Sequence, residues 1–481
     1  MSADGQAREA RALTRTLLLI ALVVAVVGSL GAPLITSVAT TLRVSLDAAQ
    51  WTLTIALLAG AVATPVLGRL GSGSRRRAVV LGTLGVVAAG SLLTVLPLPL
   101  GALLAGRAAQ GCGLALTPLM MAAAREHLSA QRAAAAIAMI SVASTVGIGI
   151  GYPLAGYLTD LGGIRAAYAA GLAVTVLALA AAARSFPSSA QPAAALPDAA
   201  ASILLTSGLL VLLFVVGEAS LWQRHLLLAV GCALLAIALL AGWVLRERAL
   251  PSPLVDLRLL RHRAVAVANA AMLVAGAGMY LLLTCITRYV QTPGSAGYGF
   301  GLDTFSAGLF LVPFSALGFV AGRISPRLRS HVPASAQLSA ATAVVLAAFL
   351  LFAAVRGNLA GPLAAMSLLG FGVGGFSAAM PAVILQVTPP QETASTMGVN
   401  QVVRSAGFSL GSTLSALILA ACTPSGAVFP ASGGYATTAW AGTAVTALAL
   451  VISLSLTPRR RKPPAMAGTE DKPLDGIAPR R

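Results

Sequence analysis

Long apolar blocks separated by short polar turns dominate the pattern of hydrophobic and polar positions along the chain. The blocks run for about 18 residues or more with few charges, the length that an α-helix needs to cross the hydrocarbon core of a bilayer. Because a helix satisfies its own backbone hydrogen bonds, the pattern predicts an all-α integral membrane protein. Fourteen spans are predicted, at approximately 17–42, 51–70, 78–97, 100–123, 133–159, 164–184, 200–219, 225–245, 264–287, 304–324, 335–355, 358–386, 393–422 and 434–457.

Composition and net charge agree with a membrane protein rather than a soluble one. Of 481 residues, 57% are hydrophobic and only 10% are charged, which leaves too few polar residues to cover a soluble surface. The net charge of +18 would suggest nucleic-acid binding in a soluble chain. In a membrane protein, basic residues instead gather in cytoplasmic loops, so we expect contact with membrane lipid and no nucleic-acid partner.

The placement of the basic residues predicts the topology. With the N-terminus inside, 25 of the 32 Lys and Arg residues fall in segments on the cytoplasmic side. Five fall on the outer side, and two, Arg107 and Arg404, fall within spans. This alternation predicts an even number of spans with both termini in the cytoplasm. The five outer residues are Arg43, Arg165, Arg224, Arg288 and Arg356.

The N-terminus and the cysteines add little chemistry. A basic stretch before an apolar run is also the pattern of a secretory signal, but this run continues without a cleavage site and predicts a retained first helix. The four cysteines stand singly in apolar segments and are interpreted as packing residues, so neither a metal nor a cofactor is expected. Arginine outnumbers lysine strongly, and alanine and leucine are abundant, which is typical of a GC-rich bacterial genome.

Four segments, taken in order, resemble motifs of a known transporter family. They are "QWTLTIALLAGAVATPVLGRLGSGSRRR", "LLAGRAAQGCGLAL", "GIGIGYPLAGYL" and "SPLVDLRLLRHR". They are similar to the second span with its signature loop, the fourth-span motif, the antiporter motif of the fifth span and the link before the ninth span. The family is the major facilitator superfamily, and within it the fourteen-helix drug:proton antiporter group. The resemblance covers essentially the whole chain.

The resemblance implies two six-helix bundles with two further helices inserted between them. The expected division is 1–186 for the N-terminal bundle, 187–263 for a linker, the two inserted helices (spans 7 and 8) and an amphipathic inner link, 264–457 for the C-terminal bundle, and 458–481 for a disordered cytoplasmic tail. We expect a multi-pass monomer in a bacterial inner (plasma) membrane.

Two arginines within spans are the first candidate site residues. Arg107 lies about 10 Å deep from the outer side of span 4, at 1.5 Å per residue. A buried arginine is costly unless it faces water or a partner. The resemblance links this position to proton transfer in the central cavity, with Gln110 one turn on; an arginine snorkelling outward is the alternative.

Arg404 lies near the middle of span 13, from where it cannot easily snorkel. Asn400, Arg404 and Phe408 share one helix face at i, i+4 and i+8, and this face is predicted to line the cavity. A structural tie of Arg404 to a polar partner is the alternative. Asn269 in span 9 is interpreted mainly as a helix–helix hydrogen-bonding residue, although it is also placed along the substrate pathway.

Small residues mark the outer half of span 5. Gly147, Gly151 and Gly156 allow close helix packing, and Pro153 bends the helix. In the resembling family this element seals the outer interface between the bundles. Tyr152 stands where the family motif has glycine before proline, and ordinary small-residue packing explains the glycines equally well.

The loop after span 2 resembles the signature loop motif of the family but differs from it at one position. Gly68 is expected to permit close helix packing, and Arg75, Arg76 and Arg77 hold the loop on the cytoplasmic side. The family has a carboxylate where this chain has Ser72. The resemblance therefore predicts a weakened latch between the bundles at the inner side.

The acidic residues leave the coupling ion open. Of 14 Asp and Glu residues none is placed deep in a span. Glu218 at the outer end of span 7 is the best proton-carrier candidate, although the position favours an ordinary surface carboxylate. Coupling through a rim carboxylate, through a proton on the ligand, or without protons are the alternatives. Two buried arginines without a buried acid favour neutral or anionic substrates over cations.

These observations favour a secondary active transporter that exports small amphipathic drugs or secondary metabolites, in the manner of multidrug-resistance efflux proteins. No Walker-type phosphate-binding motif is present, so ATP is not the expected energy source. Uptake, or a sensing or lipid-handling role on the same fold, are the alternatives. A membrane-embedded enzyme is disfavoured, because the four histidines all fall at loops or span ends.

Overall fold

The computed structural model describes residues 3–31, 33–192, 195–424, 427 and 429–456. Within these ranges the chain forms eighteen α-helices and four 3₁₀ turns and has no β-strand. The helices are α1 Ala3–Ser29, α2 Ile35–Leu42, α3 Leu46–Leu70, α4 Arg76–Val95, α5 Leu100–Gly111, α6 Leu116–His127, α7 Ala130–Ser185, α8 Ala199–Gly217, α9 Ala219–Arg224, α10 Leu226–Ala249, α11 Leu257–Arg261, α12 Arg263–Gln291, α13 Thr304–Phe310, α14 Val312–Leu328, α15 Ala334–Ala354, α16 Ala360–Leu385, α17 Thr393–Ala421 and α18 Ser432–Leu454.

Twelve helical stretches of the described chain are long and apolar enough to cross a membrane. One of them is the 56-residue α7, whose backbone leaves helical geometry at Gly162 and Gly163. A further apolar stretch is split into α5 and α6, each of 12 residues, by the 3₁₀ turn Cys112–Ala115. The predicted tail 458–481 lies outside the described residues.

The first predicted span, 17–42, has wrong boundaries. The structure ends α1 at Ser29 and begins a separate short helix, α2, at Ile35. Pro33 lies in the intervening turn, and its ring nitrogen has no hydrogen to donate to a helical ladder. At its N-terminal side the helix is longer than predicted, because α1 begins at Ala3 and so includes the basic stretch before residue 17.

The helices pack as two groups joined by a pair. The first group is α1 and α3–α7, with α1 against α7 and α4 against both α5 and α7. The second is α12 and α14–α18, with α12 against α17 and α15 against α16. The groups meet where α7 packs on α14 and α16, and where α3 packs on α17. The helices α8 and α10 pair with each other, and α8 also contacts α3 and α17.

Very close helix contact sets the position of α17. A Cβ atom at Gly407 would lie 2.6 Å from the carbonyl oxygen of Leu273 on α12, well inside van der Waals contact. Glycine at this point therefore lets the two backbones touch. The contact fixes the rotation of α17 next to Arg404 and Phe408.

One end of the molecule carries most of the loop arginines, and we call it the basic end. It comprises the C-termini of α3 and α6, at Leu70 and His127, and the N-termini of α4, α12 and α17, at Arg76, Arg263 and Thr393.

Candidate functional site: a cavity between the two helix groups

A cavity of about 440 Å³ lies between the two helix groups. The first group lines it with residues of α1, α3, α6 and α7, and the second with residues of α12, α14, α16 and α17. On α12 the lining runs from Met279 to Arg288, which is the half of the helix away from the basic end. The cavity thus extends from the middle of the molecule towards the opposite end.

The cavity wall is largely apolar with scattered hydroxyl groups. Arg288 and Arg404 are its charged side chains, and none of the described lining residues is Asp, Glu, His or Lys. A pocket of this kind suits an apolar or aromatic ligand with a few polar groups. The polar uncharged lining residues are Ser29, Thr117, Thr145, Tyr152, Tyr280, Thr284, Thr287, Ser377, Gln401, Ser405, Ser412 and Ser415.

Arg404 is the centre of the polar part of this cavity. Its side chain is only 7% exposed, and its guanidinium carbon lies 5.8 Å from the ring centroid of Phe408, one helical turn along α17. Phe408 in turn stacks on Tyr280 of α12, with ring centroids 4.1 Å apart. Within the described ranges no side-chain or backbone group of the protein forms a hydrogen bond or ion pair with the guanidinium. The arrangement is a cation–π contact on a stacked aromatic pair, with the guanidinium donors left for a ligand.

The two asparagines meet each other rather than the cavity. The Asn400 amide nitrogen donates to the Asn269 side-chain oxygen at 2.9 Å, which ties α17 to α12 one turn towards the basic end from Arg404. Neither asparagine is among the lining residues. Asn269 therefore makes the helix–helix hydrogen bond that the sequence indicates.

Arg107 lies behind the cavity wall. It is fully buried, and its guanidinium donates to the backbone oxygens of Thr52 at 2.9 Å and Val27 at 3.1 Å. A third bond, at 2.7 Å, goes to the side-chain oxygen of Gln110, whose amide donates to Ser91 at 3.0 Å. These contacts tie α5 to α1 and α3, and neither Arg107 nor Gln110 lines the cavity.

The small residues of α7 divide between two partners. Gly147 and Gly151 face α1, where a Cβ at Gly147 would lie 2.5 Å from the Cβ of Ala25. Pro153 and Gly156 face α13, which lies between α12 and α14 of the second helix group: Gly156 lies against Phe305, and Pro153 lies beside Gly308. The segment thus joins a contact within the first helix group to a contact between the groups.

A serine that the sequence gives no reason to select makes the tightest polar contact between the groups. Ser315 on α14 donates its hydroxyl to the Thr145 backbone oxygen at 2.5 Å and accepts from the Gly149 backbone nitrogen at 2.7 Å. Both partners lie on α7, one turn apart. The hydroxyl of one group therefore bonds to the helix backbone of the other beside the cavity.

The basic end is held by arginines of the first helix group that reach the second group and the link before it. Arg69 forms an ion pair with Glu392 at 3.5 Å and donates to the Ser252 hydroxyl at 2.7 Å. Arg125 donates to the Thr393 hydroxyl at 3.0 Å and to the Leu385 backbone oxygen at 3.1 Å. These bonds close the molecule at the end opposite to the cavity.

The predicted loop residues lie around these contacts. Gly68 lies against α17, where a Cβ would be 3.3 Å from the Ala394 backbone oxygen. Arg76 has an acidic partner after all, since it forms an ion pair with Glu126 at the end of α6. Arg77 donates to the Ala183 backbone oxygen at 2.8 Å, and Arg75 is the N-cap residue of α4.

Comparison with known proteins decides the family. A sequence model of the Major Facilitator Superfamily matches residues 17–412 of the chain. The chain belongs to the Major Facilitator Superfamily. It is accordingly a multi-pass membrane transporter and not an enzyme.

Bacterial relatives of this transporter carry efflux names. A multidrug resistance protein B homolog of Mycobacterium tuberculosis is 26% identical over 388 residues, covering 77% of this chain and 68% of the relative. A probable actinorhodin transporter of Streptomyces coelicolor is 27% identical over 76% of this chain and 65% of the relative. The cephamycin export protein CmcT of Amycolatopsis lactamdurans is 30% identical over 61% of each chain.

A solved structure shows the same fold. The crystal structure of the human organic anion transporter MFSD10 (TETRAN) matches 92% of this transporter with a TM-score of 0.63 and 16% identity. The match covers 99% of that chain.

Glu218 stands apart from the cavity of this superfamily member. It ends α8 and precedes α9, half-buried at the end opposite to the basic end, and it is not among the lining residues. The neighbouring Val216 backbone oxygen accepts from Thr413 of α17 at 2.6 Å. Glu218 thus lies where the inserted helices meet α17.

Glu126 lies beyond the apolar part of α6, which is predicted to end at residue 123. Burial disfavours its charged form, but hydrogen bonds from Ser189 and Arg76 outweigh burial and hold the pKa of this carboxyl below its ordinary value of 4.5. A lowered folded-state pKa contributes stability above the unfolded pKa, and this stability is lost as the pH falls through the folded pKa.

Glu126→Gln is therefore expected to lower the free energy of unfolding at pH 7 by about 1–3 kcal/mol, because it removes charged hydrogen bonds. The difference from wild type should shrink as the pH falls from about 4.5, the ordinary carboxyl pKa, through the lower folded-state pKa, below which the wild-type carboxyl is also neutral. Thermal unfolding in detergent at pH 7 and at a pH below about 4.5 measures the difference in stability between the variant and wild type. Glu9→Gln, at an exposed carboxyl, is the control and should change little. An equal effect of Glu126→Gln at both pH values would contradict the assignment.

Proposed function

We propose that the chain is a secondary active transporter that exports small amphipathic molecules, neutral or anionic, by alternating access. The observation that carries the proposal is the cavity between the two helix groups, with Arg404 at its centre and no acid among its described lining residues. An uncompensated buried cation is costly, so the site favours a ligand that supplies acceptor oxygens or negative charge to it. The ring pair of Phe408 and Tyr280 offers an aromatic face beside that charge.

We further propose fourteen membrane crossings with both termini in the cytoplasm. The 56 residues of α7 would extend about 84 Å as one helix, nearly three times the bilayer core, so the break at Gly162 and Gly163 separates two crossings. The stretch α5–α6 supplies a further crossing. The bundles then comprise 1–186 and 264–457, with 187–263 between them and the basic end in the cytoplasm.

The arrangement supports one conformer of an alternating-access cycle. The basic end is closed by Arg69 and Arg125, and the cavity extends towards the other end. If the basic end lies in the cytoplasm, a structure that is closed there and has its cavity towards the other end is the outward-facing conformer. Opening inward would require the contacts of both arginines with the second group to break.

The direction of transport is proposed as export. The relatives named as multidrug resistance, actinorhodin and cephamycin transporters support it. Uptake on the same fold is the alternative. We propose no proton carrier inside the cavity, because none of its described lining residues is a carboxylate or histidine. Proton exchange would then rely on a carboxylate outside the lining or on a proton carried by the ligand.

Flux of fluorescent amphipathic dyes in proteoliposomes tests the proposed function. We expect saturable flux of neutral or anionic dyes that is absent from protein-free vesicles. An imposed pH gradient decides the coupling: acceleration shows proton exchange, and equal flux with and without the gradient rules it out. Absence of saturable flux for every neutral and anionic dye would contradict the proposed substrate class.

A further inference from the structure

A second cleft, of about 350 Å³, opens at the basic end between the two helix groups. It is bordered by α1 and α7 of the first group and by α14 of the second. Four arginines line it, and no acidic residue is among its described lining. They are Arg11 and Arg15 on α1, Arg132 on α7 and Arg323 on α14.

Three of these arginines have their charge available. Within the described ranges Arg15, Arg132 and Arg323 form no hydrogen bond or ion pair, and all three are exposed at the cleft. Like charges brought to one cleft repel each other, which costs free energy unless an anion joins them. Arginine is the side chain best shaped to hold a phosphate, through paired N–H donors.

The cleft has an apolar side as well as a basic one. Leu18 lies one turn beyond Arg15 on α1, and Met139 lies seven residues beyond Arg132 on α7. At 1.5 Å per residue, Met139 is about 10 Å deeper along the helix than Arg132. A molecule that fills the cleft therefore meets arginines at the mouth and apolar side chains further in. A free phosphate ion would leave that apolar wall uncovered, whereas a lipid would cover it.

We propose that this cleft binds an anionic phospholipid, with the phosphate headgroup among Arg15, Arg132 and Arg323 and an acyl chain along Leu18 and Met139. The cleft lies where the apolar parts of α1, α7 and α14 end, which is the level of the membrane surface, and basic pockets between helices there attract anionic headgroups. The bound lipid joins the two helix groups at the basic end. It therefore stabilises the conformer in which that end is closed.

Native mass spectrometry of the full-length protein in detergent, titrated with phosphatidylglycerol, tests the proposal. Arg15→Gln/Arg132→Gln/Arg323→Gln should weaken retention of the lipid roughly a hundredfold. The matched control is Arg258→Gln/Arg261→Gln/Arg263→Gln, which removes the same charge from exposed positions at the same end outside the cleft. The control should retain the lipid as wild type does. Phosphatidylcholine should be retained no better by wild type than by the cleft variant.

Three outcomes would overturn the proposal. The first is equal lipid retention by the cleft variant and wild type, and the second is equal loss in the control. The third is that inorganic phosphate alone displaces the lipid at millimolar concentration and raises the melting temperature as much as the lipid does, which would make the cleft a site for a soluble anion.

A measurement on the wild-type protein keeps the test independent of how the triple variant folds. A phosphatidylglycerol analogue with a photoreactive acyl chain should cross-link to the α7 peptide that contains Met139 and to the α1 peptide that contains Leu18. Excess unlabelled phosphatidylglycerol should suppress these adducts. Adducts spread evenly over the helices, without enrichment in these two peptides, would contradict the site.

Discussion

Arg404→Ala is expected to reduce substrate flux by about thirtyfold or more while the protein remains folded and inserted. The guanidinium is 7% exposed, makes a cation–π contact with Phe408 and faces the cavity. Truncating one partner of a buried charged contact costs about 2–5 kcal/mol, which corresponds to a roughly thirtyfold to several-thousandfold loss of affinity. Removal of the side chain should not destabilise the fold, because no protein group within the described ranges is hydrogen-bonded to it.

Flux in proteoliposomes at matched protein density measures this prediction, with size-exclusion profiles to confirm that the variant is folded. Arg404→Lys should recover little of the flux, since an ammonium lacks the planar donor fork. Arg165→Ala is the control, because Arg165 is exposed at the end opposite to the basic end, and this variant should keep wild-type flux. Normal flux in Arg404→Ala would remove Arg404 from the binding site.

Arg69→Ala/Arg125→Ala is expected to open the basic end. The double variant removes the ion pair to Glu392 and the bonds to Ser252, Thr393 and the Leu385 backbone. A charge-assisted hydrogen bond contributes about 1.5–3 kcal/mol to stability, and the contributions of neighbouring bonds do not simply add. A total of about 2–4 kcal/mol would shift the ratio of closed to open molecules by roughly thirtyfold to a thousandfold.

Labelling of an introduced cysteine from the basic end measures this shift. In a background with the four native cysteines replaced, Ser377→Cys lines the cavity, and its reaction with a membrane-impermeant maleimide should accelerate in the double variant. Arg77→Ala/Arg184→Ala is the matched control, because it removes two charges from the same end without breaking a bond between the groups. Equal acceleration in control and test variants would show that charge alone, and not the contacts, holds the end closed.

The sequence could predict which residues of α17 share a face because that prediction depends on one helix only. It also placed Asn400 at the cavity, whereas the structure pairs Asn400 with Asn269 and leaves it outside the lining. Asn400, Arg404 and Phe408 share a face by the 3.6-residue period, and the close contact of Gly407 with α12 turns that face towards the cavity and α12. The all-helical membrane fold and the family could be predicted for a similar reason, since the lengths of the apolar spans and the short motifs are local properties of the chain.

The position of Arg107 could not be predicted in the same way. Its depth follows from the sequence, but the direction in which it points depends on how α5 is rotated against α1 and α3. The guanidinium is held by backbone oxygens of Val27 and Thr52, and backbone acceptors leave no mark on a sequence. Ser315 is a comparable case, because its partners are backbone groups of α7.

The loop after α3 shows why the acidic partners of loop arginines cannot be located from the local sequence. The absence of an acid at Ser72 underlies the prediction of a weakened latch between the bundles at the inner side. The structure gives Arg76 an acidic partner in Glu126, fifty residues away in the chain, and gives Arg69 one in Glu392 of the second group. Such long-range pairs depend on tertiary packing, which a single sequence does not encode by spacing.

The charge preference of the cavity is the most direct test of the account. Three dyes with one aromatic skeleton, bearing a carboxylate, an uncharged amide or a quaternary ammonium, would be compared for binding to wild type and to Arg404→Gln by equilibrium dialysis. Because Arg404 lines the cavity and no described lining residue is acidic, the carboxylate and amide dyes should bind to wild type and the ammonium dye should bind least. Arg404→Gln should weaken binding of the carboxylate dye most. Preferential binding of the ammonium dye to wild type, or identical affinities in Arg404→Gln, would contradict it.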